Sequence, residues 1–175
     1  RMPEDVVREL VEEYGISSEL AWELYDEGRV ELFRRLLSYG APASFTASTL
    51  TSTIKMLRRE GESIEKISES HLEEIFKFLG EGKLAKEAVP EVLREIARGS
   101  CLSVYDYVKS HAISLEELDS LIDSILERLK DKISEKGSRA FGMVMGEVMN
   151  VVRGKIDGAI VSERVRRKLE ELLKT

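Results

Sequence analysis

Ser138 to Ala159 reads SRAFGMVMGEVMNVVRGKIDGA. Its first sixteen residues predict a helix that is apolar almost all the way round, with only Arg139, Glu147, Asn150 and Arg153 strongly polar. A helix of that kind is expected to be buried on most sides. Gly142 and Gly146 lie inside it, each costing about 1 kcal/mol relative to Ala. Close backbone packing against a neighbour is the expected compensation. Gly154 stops the helix, and the tight link Gly154-Lys155-Ile156-Asp157-Gly158 leads into a last helix from Gly158 to Lys174. Asp157 is placed to cap it.

Upstream, Ser114-Leu115-Glu116-Glu117 has the form of a capping box. Leu118, Leu121, Ile122, Ile125, Leu126 and Leu129 follow at spacings of three and four, the mark of an amphipathic helix. This helix and the two after it predict a small three-helix subdomain. The earlier chain repeats the helical pattern in shorter pieces. Pro3-Glu4-Asp5 starts one helix and Gly15 stops it. Ser17 or Ser18 starts a second, and Val30 to Leu37 forms a third. Ser44 to Arg59 predicts a helix despite its serines and threonines, because Leu50, Ile54 and Leu57 keep helical spacing. Ser70 to Glu73 resembles a capping box, although Ser68 competes as the cap. Lys83 to Arg98 predicts a helix interrupted at Pro90. The expected fold is all-α and multihelical, divided into residues 1–109 and 110–175.

The chain has 175 residues and a formal net charge of −6. That balance argues against a protein coated with nucleic acid and leaves room for a local basic patch. Residues 139–175 hold eight Lys or Arg against five Asp or Glu, whereas residues 1–38 hold five against ten. One cysteine, Cys101, excludes an internal disulfide or a multi-cysteine zinc site. No apolar run has membrane length, and a cytoplasmic location is expected. The chain opens on Arg1 rather than Met, as expected of a piece of something longer.

No phosphate-binding glycine loop, dinucleotide fingerprint, metal-ligand spacing or nucleophile elbow is present. His71 has no partner ligand at a useful spacing. Trp22 has no flanking cation and reads as a core or subunit contact. Catalysis by these residues is not expected. The cations of the last helix carry more information. Arg166 can pair with Glu170, and Arg167 stands four residues from both Glu163 and Glu171. Those two arginines are expected to be structural. Arg164 and Lys168 flank the apolar stripe with fewer acidic neighbours on their own helix. With Arg153 and Lys155 in the preceding link and the positive end of the helix dipole, they form a candidate phosphate-binding group. No aromatic residue interleaves these cations, so recognition by shape and backbone is expected rather than base stacking.

Several of these stretches also resemble a known family. Met145-Gly146-Glu147-Val148-Met149, Gly154-Lys155-Ile156-Asp157-Gly158, Val161 and the closing Arg166-Arg167-Lys168-Leu169 look like the tail of the B and E subunits of tRNA-dependent amidotransferases, also called the YqeY-like domain. Gly82-Lys83-Leu84-Ala85-Lys86-Glu87 resembles that family's second motif, and Tyr14-Gly15-Ile16-Ser17 with Ala21 its entry. Leu57-Arg58-Arg59-Glu60-Gly61 is closer to the archaeal E subunit. Asn150 departs from a position where the family often carries Lys. The resemblance implies a tail that grips the outer corner of tRNA(Gln) near the D-loop, through an N-terminal helical subdomain and a three-helix YqeY-like one. It adds Lys83 and Lys86 to Arg153, Lys155, Arg164 and Lys168 as expected tRNA contacts. It further implies a parent carbon–nitrogen ligase converting Glu-tRNA(Gln) to Gln-tRNA(Gln). ATP and Mg²⁺ would serve a cradle domain absent here, and an asparaginase-like D subunit would supply ammonia from glutamine. No cofactor is expected in this chain itself, and neither DNA nor membrane as partner. The B-subunit tail, a free-standing YqeY-like protein and a protein-interaction module without RNA remain alternatives. The last is favoured by the acidic N-terminal helices and Trp22.

Overall fold

The computed structural model describes residues 1–174. All regular elements among them are helical. The chain divides into two compact units, the first formed by 1–80 and 86–107 and the second by 81–85 and the chain from 108 onward. Residues 81–85 thus fall in the second unit, apart in sequence from the rest of it.

In the first unit, α1 (Pro3–Tyr14), α2 (Ser18–Asp26) and α3 (Val30–Leu37) are short amphipathic helices. Gly15 caps α1 in the left-handed conformation at φ +70°, which costs little without a Cβ. The Ser17 hydroxyl accepts the Leu20 N–H at 3.1 Å and so fixes the start of α2. Leu10, Leu24, Phe33, Leu36, Leu57, Leu72, Ile75, Phe76 and Leu93 are fully buried.

The Ser/Thr-rich stretch is helical, as its leucine spacing predicts, with one irregularity. α4 (Ala43–Ser48) passes through a π turn, Thr49–Thr53, into α5 (Ile54–Arg59). Thr46, Thr49 and Thr51 are buried there. Each hydroxyl donates to the carbonyl four residues back: Pro42, Phe45 and Ala47, at 2.8–2.9 Å. That bond satisfies the buried group and loosens the backbone ladder, which suits a π turn.

α6 (Glu69–Gly80) is capped by Ser68 rather than Ser70. The Ser68 hydroxyl accepts from His71 N–H at 3.1 Å, and His71 Nδ1 accepts from Ser68 N–H at 3.0 Å. His71 thus fills the place that Glu holds in a capping box. Lys83 to Ala85 is not helical. A 3-10 turn at Lys86–Ala88 leads into α7 (Val89–Arg98), where Pro90 sits in the first turn and interrupts nothing. α8 (Val104–His111) straddles the division of the chain.

The second unit contains α9 (Leu115–Arg128), α10 (Lys130–Lys136), a 3-10 turn at Gly137–Ala140, α11 (Phe141–Val152) and α12 (Gly158–Lys174). Its core joins Leu118, Ile122, Ile125 and Ile133 to Val144, Val148, Val152, Val161, Val165 and Leu169. α11 departs from expectation. Only Val144, Val148 and Val152, with Ala140 before them, are buried, and they form a single stripe. Val151 is half exposed, and Gly142 and Gly146 face open space, with nothing beyond their own helix backbone within 4 Å of where a Cβ would stand. The two glycines therefore do not admit a close neighbour, and the helix is buried on one side rather than most.

Candidate polyanion-binding corner

The corner is the link between α11 and α12. Gly154 has φ +77°, a conformation that disfavours any side chain. A Cβ there would also stand 2.9 Å from Ala85 Cβ and 3.0 Å from the Leu84 carbonyl carbon, and closer still to the Ala85 amide nitrogen. The Gly82–Ala85 stretch and the Gly154–Gly158 stretch, far apart in sequence, are therefore packed backbone to backbone. Leu84 is buried beside the turn. A second tie comes from Ile113 N–H, which donates to the Lys155 carbonyl at 3.1 Å. Asp157 closes the assembly by accepting the Ala159 N–H at 2.9 Å on its carboxylate, capping α12 as expected.

Three of the expected contact residues are brought together here. Arg153 and Lys155 flank Gly154, and both are exposed. Neither makes an ion pair among the described residues. Lys83 lies two residues from Ala85 and pairs with Glu81 at 3.3 Å, with its side chain half exposed. The corner thus combines three cations with the first turn of α12, which contains no acidic residue. Lys86 belongs to the first unit, where its Nζ lies 5.9 Å from the Phe45 ring centroid.

Arg164 and Lys168, expected to have fewer acidic neighbours, find acidic partners on α9. Arg164 donates to both carboxylate oxygens of Asp119, at 2.9 and 2.6 Å. Lys168 donates to Asp123 at 2.9 Å. Successive turns of α9 thus meet successive turns of α12 in the same direction, so the two helices run parallel. The side chains of Arg164 and Lys168 are only 22% and 19% exposed. Their ion pairing is the reverse of what i,i+4 spacing along α12 suggests for these two and for Arg166 and Arg167. Arg166 and Arg167 make no ion pair among the described residues, and Arg166 lies over the Phe141 ring at 4.9 Å.

Elsewhere, nothing among the described residues gathers three metal-binding side chains. Burial, with Glu95 and Asp106 nearby, pushes the Cys101 thiol up, away from the reactive thiolate. Trp22 is 37% exposed and meets the Tyr25 ring edge-on at 6.3 Å.

Fold and corner define a multihelical all-α module built on a glycine-locked cationic turn. A family model described as the GatB domain matches residues 31–169, and the chain belongs to that family. It is 38% identical over 174 residues to the E subunit of glutamyl-tRNA(Gln) amidotransferase from Pyrococcus abyssi, covering 98% of this chain and 27% of that protein. It is 37% identical over 174 residues to the E subunit from Thermococcus gammatolerans and 35% over 176 residues to that from Methanocaldococcus jannaschii, covering 98% of this chain and 28% of each. The chain therefore spans little more than a quarter of the length of these relatives. No helix among the described residues is long and apolar enough to cross a membrane.

Proposed function

We propose that this chain binds tRNA and orients it for an amidotransferase active site formed by other residues. The tRNA is tRNA(Gln), and the parent enzyme is an amidotransferase E subunit that converts its glutamyl ester to the glutaminyl ester with an asparaginase-like D subunit as nitrogen donor. ATP and Mg²⁺ are assigned to that other part of the parent enzyme. The reading is supported by the names of the relatives and by one structural observation. Lys83, Arg153 and Lys155 converge on a turn locked by Gly154, Ala85 and Ile113. A rigid corner with two exposed cations, Arg153 and Lys155, unpaired among the described residues, suits phosphate oxygens, although the start of α12 beside it is already capped by Asp157. Folded RNA is recognised largely by shape and backbone, which such a corner can do without reading sequence.

Arg164 and Lys168 have a different role here. Each is committed to an aspartate, so a phosphate contact from either would break an existing pair. They are proposed to hold α12 in place while the corner touches RNA.

The test is a filter-binding titration of tRNA against salt. Arg153→Ala with Lys155→Ala should weaken binding and reduce the slope of log K against log salt by roughly 1.5 to 2, as expected for two lost phosphate contacts. Arg164→Ala with Lys168→Ala should leave the slope nearly unchanged. A slope unmoved by the first pair would sink the assignment of the corner.

A further inference from the structure

Along the chain no aromatic residue interleaves the C-terminal cations, but folding brings one to them. Phe141 is the first residue of α11 and is half-buried. Arg166, exposed on α12, places its guanidinium carbon 4.9 Å from the centroid of that ring. Glu170 stands one turn further along α12, at the ordinary spacing for a helix ion pair, and Arg166 does not take it. A guanidinium laid on an aromatic ring keeps its second planar face for another partner.

The surroundings suit a particular kind of partner. The Gly137–Ala140 turn that precedes Phe141 packs against α12. Gly137 has φ +60° and ψ −136°, a backbone conformation open essentially to glycine alone, so the path of this turn is set by the backbone. The turn carries Arg139, and Lys136 stands just before it. Both are exposed and make no ion pair among the described residues. On the other side of Phe141, Gly142 leaves open space. The result is an exposed planar cation over an aromatic ring, on a helix that packs against the turn carrying Arg139. A carboxylate would engage the edge of the guanidinium. A nucleobase engages its face, and its flanking phosphates engage the other cations.

We propose that Arg166, lying over the Phe141 ring, is a platform for an unpaired nucleobase of folded RNA, with Arg139 and Lys136 holding the adjacent phosphates. This inference rests on the RNA-binding reading above and adds to it a contact with a base as well as with phosphates. The platform is carried by the first residue of α11 and the middle of α12, whereas the Gly154 turn follows the end of α11 and precedes the start of α12. The two sites can therefore be tested separately.

The experiment uses the 175-residue chain and two RNA probes, a tRNA(Gln) transcript and a fully paired RNA duplex. Arg166→Lys keeps the charge and removes the plane. Phe141→Leu keeps apolar bulk and removes the ring. Each should weaken binding of the transcript about tenfold, as expected for loss of one stacked base. Neither should change its salt slope, and neither should change binding to the duplex, which offers no free base. The platform is overturned if Arg166→Lys binds the transcript as the unaltered chain does, or if it weakens both probes equally. Should Phe141→Leu lose its helical circular dichroism, Arg166→Lys alone decides. If the unaltered chain fails to bind the transcript, the RNA-binding reading falls too. If it binds, and depends on Arg153 and Lys155 but not on the plane of Arg166, only the platform falls.

Discussion

Two faces of α12 carry the same kind of residue in opposite circumstances. On one, Arg164 and Lys168 are tied to Asp119 and Asp123 of α9 and largely covered. On the other, Arg166 and Arg167 are exposed and free of ion pairs among the described residues, although Glu163, Glu170 and Glu171 lie on the same helix. Counting charges at i±4 would reverse the two. The difference teaches that a cation on an amphipathic helix is compensated first by what the helix packs against. A partner across a packed interface is held in place by that packing. A partner on the same exposed face must give up side-chain freedom to stay, for a gain of only a few tenths of a kcal/mol.

The strongest challenge to this comparison is at the turn that sets the rotation of α12. Gly154→Ala forces a side chain into positive φ and against the Ala85 backbone. It should destabilise the second unit by about 3 kcal/mol, read from urea denaturation. Gly146→Ala should act in the opposite direction, stabilising by roughly 1 kcal/mol, since that glycine is helical and faces open space. A destabilised Gly146→Ala would restore the expected close neighbour.

Smaller effects separate the two faces directly. A double-mutant cycle on Asp119 and Arg164 should give a coupling energy of about 0.5–1 kcal/mol. The same cycle on Arg167 and Glu171 should give nearly none, and equal couplings would remove the distinction between the faces.

The smallest effect is an ion pair in the first unit, and its sign is set by acid. Glu60 meets Arg94 at 2.9 Å, and the side-chain hydrogen bond from Arg94 holds its carboxyl below the ordinary glutamate range. A carboxyl lowered in the folded state stabilises above its unfolded value and loses that contribution as pH falls through the folded one. Arg94→Gln should lower the melting temperature near neutrality. Its deficit against the unaltered chain should shrink as pH drops below the glutamate range.

Much of the secondary structure was legible because it rests on local rules. Pro3, Gly15, Ser17, Ser114 and Asp157 act within a turn of where they stand, and helical spacing of leucine and isoleucine predicted α5 and α9. The misreadings share a cause. The apolar composition of α11 does not say which sides meet a neighbour, and its glycines proved to be open. Ser68 won the start of α6 because His71 could return its hydrogen bond. Of the candidate site, the Gly154 turn with Arg153 and Lys155 was visible as adjacent residues. Lys83 was visible only through family likeness. The Phe141–Arg166 contact joins residues of two different helices and left no sign in any motif.

By itself, then, the sequence determined that this chain is all-α, where most helices begin and end, and that a basic turn precedes the last of them. Hydrogen bonding within a turn and side-chain periodicity along one helix are enough for that. Only the tertiary structure decided which cations are spent and which are available. Arg164 and Lys168 are held by α9 because a parallel register brings Asp119 and Asp123 opposite them. Lys83 joins Arg153 and Lys155 because Gly154 admits the Ala85 backbone. Both outcomes depend on distances between segments far apart in the chain, which packing sets and local sequence does not.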